Sequence, residues 1–219
     1  PNGLLAVGGD LSPERILSAY RQGIFPWYED PQPILWWCPD PRSVLVPREL
    51  HISRSLRKSL RNSSLELRAD SAFSRVIGAC GGPRPDSEGT WITDEMRNAY
   101  CQLHRLGHAH SIETWQHGEL VGGLYGVRVG GVFFGESMFS HESNASKAAL
   151  CGLAWLCREY GIELIDCQVE SEHLNSMGAQ HMQRADFIER LAQLTSQPAP
   201  FDSAALPRQP ASVVAELLS

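Results

Sequence analysis

Asp166 and Gln168 stand two residues apart in "ELIDCQVE", where Ile165, Cys167 and Val169 alternate as the buried side of a β-strand does. The opposite side therefore carries a carboxylate and a carboxamide in mid-strand, where an unpaired carboxylate is expensive to bury. Two readings fit: a satisfied structural hydrogen-bonded pair, or two polar groups facing a cleft. Upstream, "GESMF" places Glu136 two residues before Met138, and the same alternation predicts that both face one side of their strand.

A third group is cationic. "HISRSLRKSLRN" carries Arg54, Arg57, Lys58 and Arg61 with no acid from His51 to Asn62. At about 100° per residue the four gather on one helical face and Ile52, Leu56 and Leu60 on the other. The face is either ordinary solvated surface or a contact for a phosphate backbone, a contact that would be salt-sensitive and indifferent to sequence. The chain as a whole has net charge −6, so any nucleic acid must be met by such a local patch.

Composition narrows the classes. With 219 residues, 42% hydrophobic and 20% charged, the chain can bury a proper core and has no apolar run long enough to span a bilayer. Its first residue is Pro1, so the lack of a visible targeting segment carries little weight. Six cysteines show no C-x-x-C pair, which predicts free buried thiols in a reducing, cytoplasmic setting. His104, His108 and His110 lack a supporting carboxylate, and no metal is implied.

The elements that must hold these residues follow from periodicity and punctuation. Ser12, Pro13 and Gly23 bracket one helix, and Thr93 and Gly107 another. Between them, Pro26, Pro31, Pro33, Pro39 and Pro41 interrupt a run holding Trp27, Tyr28, Trp36 and Trp37, which predicts an irregular aromatic loop. That loop either plugs the join between two lobes or supplies a wall of a binding site, with Trp27 the better wall because Pro26 fixes its approach. "AHSIETWQ", "ELVGGLYGVRV" and "GVFFGESMF", on turns at His117-Gly118 and Gly130-Gly131, predict an antiparallel meander. An apolar helix, the strand of Asp166, a short helix and a longer one complete an α+β layout. Meander, helix and returning strand resemble the core of N-acetyltransferases, but no glycine-rich pyrophosphate loop precedes the helix, which argues against coenzyme A.

Long stretches then point to a family. "PNGLLAVGGDLSPERILSAYRQGIFPW", "ILWWCPDPR" and "GESMFSHESNASK" with "LIDCQ" resemble leucyl/phenylalanyl-tRNA–protein transferases, from residue 1 to about 195. The resemblance implies an N-acetyltransferase-like catalytic domain at 43–219 behind a small N-terminal domain at 1–42. It implies transfer of Leu or Phe, less often Met, from aminoacyl-tRNA to the N-terminal Arg or Lys of a protein, an N-degron mark, without cofactor or metal and away from membranes. It places catalytic roles on Asp166, Gln168 and Glu136, stacking roles on Trp27 and Trp91, and an aminoacyl pocket on Leu124, Met138 and Ile165. Leu124 departs from the family's Met at that place, a change of little volume or polarity. The Arg54, Arg57, Lys58 and Arg61 face becomes the tRNA contact. The competing reading is a coenzyme A-dependent N-acyltransferase.

The implied reaction is aminolysis of an ester. The enzyme must place the amine, relieve it of a proton and steady the oxyanion. An α-amine has a pKa of about 7.7–8.0, so mild help suffices. In this reading Gln168, polarised by Asp166, draws on the amine, and Glu136 holds either that amine or the Gln168 amide. A proton shuttle through the tRNA ribose hydroxyl is the alternative.

Overall fold

The computed structural model describes residues 2–82, 92–197 and 208–218. It opens with β1 (Leu4–Val7), α1 (Pro13–Arg21), β2 (Phe25–Pro26) and β3 (Leu35–Trp37). Pro13 starts α1, and Gly23, at φ 74°, lies just past its end. The proline-rich run is irregular over 27–34 and 38–41, as expected, but two short strands interrupt it. β3 pairs antiparallel with both β1 and β2, in the order β1-β3-β2. Pro26 is accommodated because β2 is an edge strand, where a missing N–H costs no ladder bond.

The remainder comprises β4 (Arg42–Leu45), α2 (Arg54–Arg61), β5 (Glu66–Ala69), α3 (Phe73–Cys80), α4 (Asp94–Arg105), β6 (Ala109–Gln116), β7 (Glu119–Val129) and β8 (Val132–Ser140). Then follow α5 (Ala145–Glu159), β9 (Leu164–Gln168), α6 (Glu172–Asn175), β10 (Gln180–Met182), α7 (Arg184–Thr195), β11 (Gln209–Pro210) and α8 (Ala211–Leu217). Eight strands form one sheet, ordered β10-β4-β9-β8-β7-β6-β5-β11. The meander is there as its pattern predicts, with His117 and Gly118 both left-handed in the β6–β7 turn, as a tight hairpin turn requires. All neighbours run antiparallel except β8 and β9, which are parallel. α4 begins as predicted, with Thr93 Oγ1 accepting from the Met96 N–H at 3.2 Å.

Each face of the sheet buries its own core. One gathers Ile16 and Tyr20 of α1, Met96 and Tyr100 of α4, Tyr125, Phe134 and Phe187. The other gathers Leu56 and Leu60 of α2, Leu124, Phe133, Ile165, the apolar side of α5, and α8. α5 lies so close to β7 that a Cβ on Gly122 would stand 2.5 Å from that of Ala145. That approach sets the first turn of α5 against the sheet beside the site. The cysteines are free, and all but the half-buried Cys101 are buried.

Candidate active site

β8 and β9 pair as Val132↔Leu164, Phe133↔Ile165 and Phe134↔Asp166, and there the pairing stops. Past that point each strand is irregular against its other neighbour. β8 shifts register against β7 between Tyr125↔Ser137 and Gly126↔Gly135, leaving Glu136 as the extra residue. β9 shifts against β4 between Val44↔Asp166 and Ser43↔Gln168, leaving Cys167 extra. Two bulges at one height bend the strands apart and re-aim their side chains. The wedge between them is a cavity of ≈ 450 Å³.

The cavity wall includes Asp166, Gln168, Glu136, Leu124, Met138, Ile165 and Trp27, so seven of the sequence-selected residues converge. Trp27 is 42% exposed on one wall and its ring lies 6.0 Å from that of Trp37. Trp36 and Tyr28 instead pack into the core, with the Tyr28 hydroxyl donating to Glu95 at 3.0 Å. Of this aromatic run, then, Trp27 lines the cavity while Trp36 and Tyr28 are core. Trp91 lies outside the described residues.

Three local readings need correction. Glu136 and Met138 do not share a side. Glu136 meets Tyr20 and Tyr100 in one core, while Met138 packs with Leu124 and Ile165 against the other. The single bulged residue breaks the period of two on which the expectation rested. Val169 is exposed rather than buried, because the strand ends at Gln168, whose φ of 65° turns the chain out. Asp166 does not polarise the Gln168 side chain directly. Its oxygens accept from Arg42 Nε at 2.8 Å and Nη2 at 2.7 Å, and Oδ1 accepts from the Gln168 backbone N–H at 2.9 Å.

Arg42 and Asp166 are wholly buried. The guanidinium carbon lies 4.8 Å from the Phe25 ring centre and 4.7 Å from that of Phe187. Burial works against the guanidinium's charge, yet Asp166 overrides it and the Arg42 pKa rises. The ion pair also anchors the left-handed Gln168, a conformation a non-glycine residue holds only when its surroundings impose it.

The Gln168 carboxamide reaches across the wedge, its Nε2 donating to Glu136 Oε1 at 2.9 Å. This is one of the two contacts expected of Glu136. The Tyr20 hydroxyl donates to Glu136 Oε1 at 2.6 Å and the Tyr100 hydroxyl to Oε2 at 2.9 Å, while the two hydroxyl oxygens lie 2.6 Å apart. Burial pushes the Glu136 carboxyl up to about 7, despite the donors that favour its anion. Burial also raises both tyrosines well above their usual range, so they keep their protons.

Sequence reading missed Arg42, Tyr20 and Tyr100. Arg42 closes the "PDPR" stretch, where a lone arginine gives no hint of a buried partner 124 residues away. Tyr20 follows Ile16 by four and reads as ordinary core. On α2, Leu56 and Leu60 are buried and Arg54 and Lys58 exposed, as the pattern predicts. The other two cations of that face also engage the C-terminal helix. Arg57 Nη1 donates to the Ala215 carbonyl at 2.6 Å, and Arg61 Nε lies 3.6 Å from Glu216. α2 meets the start of α5 through Asn144 Nδ2 and Ser59 Oγ at 3.0 Å, without itself lining the cavity. Among the described residues no cluster of His, Cys, Asp or Glu is arranged to hold a metal. His110 Nδ1 instead meets Asp70 at 2.7 Å, and His104 Nδ1 the Ala109 carbonyl at 2.8 Å.

Fold and site define a class: an α+β protein with an enzyme-type cleft, where an apolar slot meets a buried acid, amide and hydroxyl network. The sequence profile described as leucyl/phenylalanyl-tRNA protein transferase matches residues 44–192, and that of its N-terminal domain residues 9–40. The chain belongs to the leucyl/phenylalanyl-tRNA–protein transferase family. It is 59% identical over 198 residues to the protein of that name from Pseudomonas putida (strain W619), covering 90% of this chain and 88% of the relative. It is also 59% identical to that of Nitrosospira multiformis, covering 90% and 84%. A solved structure titled L-PGS from Bacillus licheniformis aligns at 11% identity and a TM-score of 0.43, over 74% of this chain and 52% of that one, and assigns nothing further. No helix among the described residues is long and apolar enough to cross a membrane.

Proposed function

We propose that the protein transfers Leu or Phe, and less often Met, from aminoacyl-tRNA to the N-terminal Arg or Lys of acceptor proteins, marking them for N-degron-dependent degradation in the cytoplasm. The observation that carries this reading is the wedge itself. An apolar slot of Leu124, Met138 and Ile165 opens beside Gln168, whose Oε1 has no donor among the described residues. The aminoacyl side chain enters the slot, and the ester then lies where an amine can address Gln168. A side chain branched at Cβ clashes at the mouth of the slot, since missing methylenes alone would discriminate by only about 1–3 kcal/mol.

Within the reading, Gln168 orients the amine and Glu136 holds the carboxamide. Asp166 acts from behind, as the anion that fixes the Gln168 backbone. Trp27 flanks the substrate, the family resemblance gives Trp91 a stacking role as well, and the face of Arg54, Arg57, Lys58 and Arg61 meets the tRNA backbone. The same reading takes residues 1–42 as a small N-terminal domain and 43–219 as a catalytic domain of N-acetyltransferase-like fold.

The test is transfer of radiolabelled Leu from Leu-tRNA to an Arg-initiated peptide. Label should appear on the peptide, vanish after RNase treatment, and fail to appear from Val-tRNA. RNase-insensitive transfer that depends on coenzyme A would replace this reading with the N-acyltransferase one.

A further inference from the structure

We propose that Glu136 is the acceptor of the proton lost by the attacking amine, delivered across the Gln168 carboxamide, with Tyr20 and Tyr100 closing a ring around it. This rests on the transfer reaction proposed above and identifies where its proton goes.

The geometry sets a count. Three oxygen–oxygen contacts close a ring: Tyr20 to Tyr100 at 2.6 Å, Tyr20 to Glu136 Oε1 at 2.6 Å, and Tyr100 to Glu136 Oε2 at 2.9 Å. Contacts this short each require a proton between the oxygens. The tyrosines supply two. If both go to the carboxylate, the two phenol oxygens face each other at 2.6 Å with nothing between them. One further proton, on Glu136 Oε1, fills every contact: Glu136 Oε1 to Tyr20, Tyr20 to Tyr100, Tyr100 back to Glu136 Oε2. The ring is a loaded state, and ionised Glu136 is its unloaded form. The groups facing Glu136 are Tyr20 from α1, Tyr100 from α4, and Gln168 and Asp166 from β9, with Arg42 of β4 behind Asp166. Its raised pKa of about 7 lies just below that of a free α-amine, so the transfer is nearly balanced.

Asp166 is already engaged: both its oxygens accept from the buried Arg42 and Oδ1 also from the Gln168 backbone N–H. Gln168 is built as a bridge, with Nε2 on the ring and Oε1 free to meet the amine. As the amine nitrogen bonds to the ester carbonyl, its surplus proton passes to Gln168 Oε1 while the Nε2 proton passes to Glu136 Oε1. The carboxamide is then an imidic acid and Glu136 a carboxylic acid. When the bond between carbonyl and ribose 3′-oxygen breaks, Gln168 Oε1 gives its proton to the 3′-oxygen, which leaves as a hydroxyl, and the Glu136 proton returns to Nε2. Amine minus one proton, ribose plus one, enzyme restored: no co-reactant is needed.

The experiment is single-turnover transfer from Leu-tRNA to the Arg-peptide across pH, paired with a carboxyl-carbon NMR titration of 13C-glutamate-labelled protein. Glu136 in the wild type should titrate near 7, and the transfer rate should rise through that value. Glu136→Gln should slow transfer by about 100-fold or more and lose that limb, with KM for tRNA and peptide nearly unchanged. Tyr20→Phe removes a donor to the anion, so its limb should move to higher pH, a change that a purely packing role would not cause. A Glu136→Gln protein with wild-type rate and profile overturns the proposal, as does a wild-type Glu136 that titrates in the ordinary carboxylate range. Absence of transfer by the wild type at every pH would overturn the reaction reading, and this proposal with it.

Discussion

Glu113 on β6 and Glu136 on β8 are both buried carboxylates of one sheet, yet they are held in opposite ways. Glu113 is fully buried and accepts from the Ala72 N–H at 2.8 Å, Ser111 Oγ at 2.9 Å, Trp115 Nε1 at 3.2 Å and Ser71 Oγ. Two of these donors, a backbone amide and an indole, can only donate. They hold Glu113 over the N-terminal end of α3, whose cap residue Ala72 has no side-chain oxygen of its own. Glu136 is held by two hydroxyls that touch each other and can accept as well as donate, and by an amide that reaches a cavity. Burial and multiple partners are common to both acids, whereas mutually touching hydroxyl partners and an amide that reaches a cavity belong to Glu136.

The contrast can be broken from either end. The largest effect should come from Arg42→Met, which leaves Asp166 buried and unpaired. Urea denaturation should register a loss of about 3–5 kcal/mol. An unchanged midpoint would mean that water reaches Asp166 and that its ion pair does not hold the wedge. Next is pH. Folding binds a proton at Glu136 between its ordinary value of 4.5 and about 7. Its contribution to stability is therefore present at low pH and is lost as pH rises through that window, amounting to at most about 3 kcal/mol. Denaturation curves of Glu136→Gln should lack this decline.

Glu113→Gln should cost about 1–3 kcal/mol, because one acceptor oxygen becomes a donor facing donors. Transfer per folded molecule should stay within about twofold. A large loss of rate at full folding would erase the distinction between the two glutamates. The smallest effects belong to α2. Charge reversal at the exposed Arg54 and Lys58 should raise the apparent KM for tRNA several-fold and flatten its salt dependence, with stability within about 0.5 kcal/mol. Arg57→Ala should instead lower stability by about 1 kcal/mol, since it also caps α8 through Ala215.

Much of the scaffold was readable from local chemistry. The meander, the capped helices and the amphipathic α2 have runs long enough for period, caps and turn glycines to agree. β4, β5, β10 and β11 escaped because two to four residues carry no period, and α3 because it borrows its cap from Glu113. The family resemblance selected residues that the structure gathers around one cavity, whereas the alternation rule misassigned the side of Glu136.

The amino-acid sequence alone determined which polar groups sit among apolar neighbours, because that conflict lies within a few residues of the chain. Which partner resolves each conflict was decided only by tertiary structure. Arg42 meets Asp166, and Tyr20 and Tyr100 meet Glu136, across 124, 116 and 36 residues. Two single-residue bulges set where those side chains point, and a bulge arises from how strands pair, which neither strand encodes by itself.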